Sequence, residues 1–145
     1  MSPTSEVLNR VEQLAAESGL IGEHNLLRGE FVILFDLPDD RTQEVFVCDS
    51  SQTSEIKVIS VRSTCLVLDK AKLPSDKSMS MELLLTNEQL RFARYGVQED
   101  DERYIVVASH DLFLDELGPR TLAVALECVA LAADAYEAKF GLDIF

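Results

Sequence analysis

The sequence is poor in basic residues, cysteine and histidine, and it has no tryptophan. Thirteen Lys+Arg stand against 26 Asp+Glu, a formal net charge of -13 with a pI near 4.4. That field repels phosphate backbones and anionic headgroups, so neither nucleic acid nor a membrane surface is an expected partner. The 3 cysteines, Cys48, Cys65 and Cys128, are odd in number and widely spaced, each in an apolar setting. They read as reduced buried thiols, not as a disulfide framework or a zinc site, which predicts a cytoplasmic protein. Long apolar runs are missing too. Leu122 to Ala133 is interrupted by Glu127 and closed by Asp134, short of the roughly 20 residues a membrane helix needs. The N-terminal stretch carries Glu6, Glu12 and Glu17 and lacks a signal-peptide core.

Catalytic motifs are equally scarce. There is no GxGxxG or GxxxxGK[ST] phosphate loop, no GxSxG and no HExxH. Neither His24 nor His110 has a spaced partner or lies in a nucleophile motif, so both are expected to be ordinary loop or surface residues. The acidic run Glu99-Asp100-Asp101-Glu102 lacks the alternating ligands and central glycine of a calcium loop and reads as a solvated hairpin tip. No catalytic residue, metal or cofactor is therefore assigned, and the chain is read as non-enzymatic.

What is present is enough apolar material for one core. At 145 residues and 47% hydrophobic content, with 6 Gly and 4 Pro, the chain fits one folded domain spanning residues 1–145. Ser2-Pro3 is a helix-start pair, apolar residues from Val7 to Ala15 recur at helical spacing, and Gly19 is placed to end that helix. After a linker, Glu30–Leu37, Glu44–Asp49 and Glu55–Leu68 read as three strands of an antiparallel meander, the third bent or bulged near Ser63-Thr64. A short helix is predicted over Met79–Gln89, and a hairpin over Leu90–Val97 and Arg103–Ser109. A final helix opens at Gly118-Pro119 and runs to about Phe140, before Gly141. The order αβββαββα predicts an α+β fold, an antiparallel sheet of about five strands with helices on one face.

The strands themselves carry the most informative pattern. A strand buried on one face alternates apolar and polar, yet Phe31, Ile33 and Phe35 alternate with Val32 and Leu34, and Val45 and Val47 flank Phe46. Both sheet faces are thus expected to be apolar. Two long helices cover one; the short helix and a partner are left to cover the other. If the phenylalanines face the helices and Phe46 lies beside them, Val32, Leu34, Val45 and Val47 form the partner or dimer surface.

The stretch Asn87-Glu88-Gln89-Leu90-Arg91-Phe92-Ala93-Arg94-Tyr95-Gly96-Val97, the acidic turn, Tyr104 to Ala108, then Leu117, Leu122, Leu126, Ala132, Asp134 and Tyr136 resemble the C-terminal half of the bacterial YbjN-like family. That family belongs to the type III secretion chaperone-like fold. The resemblance is detailed over residues 80 to 140 and implies a small, acidic, cytoplasmic, non-enzymatic protein, usually a homodimer. It implies a chaperone-like or regulatory module that covers apolar segments of a client protein. The alternative class is a small enzyme or small-ligand-binding domain whose site is assembled only in three dimensions.

Overall fold

A computed structural model describes residues 5–72 and 78–144 of the chain. The Ser2-Pro3 helix start falls outside the described residues. Helix α1 spans Glu6–Glu17, and its cap is Ser5, whose hydroxyl accepts the Leu8 N–H at 3.1 Å. Val7, Leu8, Val11, Leu14 and Ala15 form its buried stripe. It ends as the sequence predicts. Gly19 takes φ 80, a left-handed value that favours glycine, and the Leu20 N–H reaches back to Ala15 O at 2.9 Å.

Six strands follow: β1 Glu23–Asn25, β2 Glu30–Leu37, β3 Arg41–Asp49, β4 Val58–Asp69, β5 Arg94–Glu99 and β6 Arg103–Phe113. They form one antiparallel sheet in the order β1-β2-β3-β4-β6-β5. The sheet therefore has one strand more than the sequence predicts, because β1 lies in what reads as a linker. The predicted bulge is present, as a register shift between Thr64 and Leu66. The β3–β4 ladder runs from Asp49↔Ile59 to Phe46↔Arg62. Beyond it, Gln43 bridges the two strands, its amide donating to Ser63 Oγ and to Thr64 O, each at 2.9 Å.

Helix α2 (Ser78–Asn87) and helix α3 (Pro119–Ile144) complete the fold, with a short 3-10 turn over Lys70–Lys72. Pro119 occupies the first turn, as expected, whereas Gly141 does not stop α3. Leu122, Leu126, Val129 and Ala133 of α3 are fully buried in one cluster with Phe31, Val45, Val47, Ile59 and Val61 of the sheet and Val11 of α1. At the first hairpin, Arg41 Nε donates to Asp134 Oδ1 of α3 at 2.7 Å.

Helix α2 does not help to cover the second face of the sheet. Its Leu83 packs against the same core, and Lys139 of α3 donates to Glu82 Oε1 at 2.6 Å. Asn87 meets the backbone of Tyr95, whose ring lies 5.1 Å from that of Tyr136 on α3 and whose hydroxyl donates to Ala132 O at 2.6 Å. All three helices thus share one side of the sheet, and among the described residues no helix lies on the other. No described helix is long and apolar enough to cross a membrane.

Candidate functional site: the uncovered sheet face

Alternation along β2 decides which side chains reach the uncovered face. Phe31 and Ile33 are buried and Phe35 packs against the core, so Val32 and Leu34 point away from the helices. Val32 is half-buried and Leu34 is 63% exposed. These two residues lie where the sequence reading places them.

Val45 and Val47 do not. Both are fully buried, because Phe31 pairs with Val47 and Ile33 with Val45, and directly opposed residues of an antiparallel pair share a face. The turn sets this parity. Leu37 pairs with Arg41 across three residues, Pro38, Asp39 and Asp40, with Asp39 at φ 64 and Asp40 at φ 56. An odd loop length matches odd-numbered residues with odd, whereas the predicted arrangement needed Phe46 beside the phenylalanines. Phe46 instead opposes Val32, half-buried on the outer face, and takes the place expected for the two valines.

The outer face is organised in cross-strand rows. Glu23, Val32, Phe46, Arg62, Ser109 and Arg94 form one row across all six strands, and none of the six is buried. Neither arginine has an ion pair among the described residues. Toward the Asp49 end, Ser60 donates to Asp111 Oδ1 at 2.7 Å and lies 2.6 Å from Ser50 Oγ. Beyond that, Phe113 is 68% exposed next to Val58. Toward the other end, Leu34 pairs with Glu44. The face is thus an apolar patch on β2 and β3 with acids at its β1–β3 side and arginines at its β4–β5 side. The Arg62 and Arg94 positions went unread in the sequence, since only the register brings them into line with Val32 and Phe46.

No catalytic constellation forms elsewhere in the described residues. His24 is largely buried rather than a surface residue, its ring 5.1 Å from that of Phe31 and its Nε2 3.3 Å from Glu12 Oε1. Strand β1 thereby gives it an acidic neighbour that sequence spacing does not reveal. The nearby hollow is lined also by Ser5, whose hydroxyl is already committed to the α1 cap. His110 packs edge-on to Phe92, and burial together with Arg94 lowers its pKa. Burial pushes the Cys65 thiol up to about 12, which disfavours its thiolate form.

The acids at 99–102 hold their own hairpin. Asp100 Oδ1 accepts the Glu102 and Arg103 N–H groups, and Glu99 pairs with Lys70 at 2.7 Å. No three His, Cys, Asp or Glu side chains are grouped to hold a metal ion among the described residues. Cys48, Cys65 and Cys128 are not bonded to one another.

Fold and face together define a class: an acidic α+β protein with its helices on one side of an antiparallel sheet and an apolar, arginine-flanked face on the other. Residues 59–142, more than half of the chain, match the family YbjN, described as "Putative bacterial sensory transduction regulator". The chain belongs to the YbjN family. No curated protein matches it.

Proposed function

We propose that this chain is a non-enzymatic cytoplasmic regulator that acts by protein contact through the outer face of its sheet, as a homodimer and as a cover for apolar segments of a partner. The family description supports a regulatory role. One observation carries the reading: Leu34, 63% exposed, stands with Val32 and Phe46 on a sheet face that no described helix covers. A clustered apolar patch of this kind on a protein of net charge -13 marks a contact surface, whereas scattered exposed apolar residues need no explanation. Acidic charge elsewhere keeps the molecule soluble and steers basic segments toward it.

Photo-crosslinking in the native host tests the reading. A benzophenone side chain at position 34 is expected to give protein adducts. The same group at position 27, where Leu27 is 100% exposed in the turn between β1 and β2, is expected to give none. Absence of adducts from position 34, or equal adducts from both positions, would overturn it.

A further inference from the structure

On the outer face Ser109 of β6 stands between two arginines, since it pairs with Arg62 of β4 on one side and with Arg94 of β5 on the other. Neither arginine has an ion pair among the described residues, although the chain has twice as many acids as bases to offer them. Arg62 is half-buried and Arg94 exposed. Resting on the protein-contact reading above, we propose that this corner of the outer face binds a phosphoryl group carried on a side chain of the partner protein.

The chemistry of the corner fits that group. Adjacent strands lie about 4.8 Å apart, so the two arginine backbones stand about 10 Å from each other with the serine midway. Guanidinium groups on side chains of that length can converge above Ser109, each with a planar fork of N–H donors. A phosphoryl group at neutral pH carries close to two negative charges and three acceptor oxygens, enough for both forks and the serine hydroxyl. Access is open. Gly96, the next outward residue of β5, has nothing within 4 Å of where a Cβ would stand. The acid two residues further along β6, Asp111, accepts from Ser60 Oγ at 2.7 Å. At His110 between them, burial lowers the pKa first and Arg94 second, and Arg94 acts there more strongly than Asp111 does.

The rest of the row describes the segment that bears the phosphoryl group. A nucleic acid brings many charges against a net charge of -13, whereas one phosphorylated side chain brings only what two arginines neutralise. Phe46, Val32 and Glu23 lie two, three and four strands from Ser109, at about 10, 14 and 19 Å. An extended segment rises about 3.3 Å per residue. Laid along the row, it places an apolar side chain about three or four residues from the phosphorylated one, and a basic side chain about six residues from it.

Nine-residue peptides test this, with phosphoserine second, leucine three residues beyond it and arginine six beyond it, made also in reversed order and without the phosphate. Fluorescence anisotropy with the full chain is expected to show one of the two phosphorylated peptides bound at least about tenfold more tightly than its unphosphorylated form, and more tightly than inorganic phosphate. Arg62→Gln and Arg94→Gln are each expected to weaken that binding by about tenfold or more. Arg28→Gln, which removes the same charge from the exposed β1–β2 turn, is expected to leave it unchanged. Arg94 is exposed, so its variant keeps the fold and decides the matter even where Arg62→Gln loses its urea transition. No preference for the phosphorylated peptides, an Arg94→Gln variant that binds as wild type does, or an equal loss in Arg28→Gln would overturn the phosphoryl site. Inorganic phosphate bound as tightly as the peptides would overturn its assignment to a partner's side chain. The broader reading is decided separately by the position 34 adducts, which would sustain protein contact even where the peptides contradict the phosphoryl site.

Discussion

Leu34 and Val47 sit on neighbouring strands and point to opposite sides of the sheet, one 63% exposed and the other fully buried. A lysine should therefore have opposite consequences at the two positions. Leu34→Lys is expected to change unfolding free energy by no more than about 0.5 kcal/mol, as surface substitutions do. Val47→Lys buries an unpaired charge and is expected to cost more than about 4 kcal/mol or to prevent folding. Urea midpoints decide it, and a Leu34→Lys variant as damaged as Val47→Lys would mean that the faces are reversed. The inward set Phe31, Ile33 and Phe35 was legible from size and alternation within one strand. Val45 and Val47 were misplaced because the relation between strands depends on a turn whose two consecutive left-handed aspartates, Asp39 and Asp40, give no clear sign of its length.

Among the elements, β5 stands at the sheet edge, where unpaired backbone groups invite strand addition. Asn87, at the end of α2, closes part of that edge. Its Oδ1 accepts the Tyr95 N–H at 2.7 Å and its Nδ2 donates to Tyr95 O at 3.1 Å, as a neighbouring strand would. Asn87→Ala leaves both Tyr95 groups without that partner and is expected to cost about 1 to 3 kcal/mol locally. Amide exchange at Tyr95 should then quicken by about tenfold to a hundredfold, and unchanged exchange would show that Asn87 does not hold this edge. Helices α1 and α3 were legible because apolar periodicity and the end signals Gly19 and Pro119 are local, although the cap of α1 is Ser5 and not the Ser2 that the sequence suggests. Strand β1 was not: Glu23, His24 and Asn25 have no strand pattern of their own, and pairing with β2 alone makes them a strand. Gly141 misled in the other direction, since a helix interior tolerates a glycine at a cost of only about 1 kcal/mol.

For the whole molecule, the sequence's twofold excess of acids over bases describes the surface on average and hides its arrangement. Described helices take one side of the sheet, and the other side gathers Val32, Leu34 and Phe46 between acids and Arg62 and Arg94, which have no ion pair among the described residues. That gathering is a product of register and strand order, so composition could point to an apolar second face but not to its charge layout. The account stands on this face being covered by protein in the host. Hydroxyl-radical footprinting read residue by residue measures that cover directly. Comparing dilute purified protein with protein inside native cells, Leu34 and Phe46 should lose most of their oxidation in cells, while the exposed Leu27 and Ile21 should keep theirs. Equal oxidation of Leu34 and Phe46 in the two settings, after normalisation to Leu27, would contradict the account.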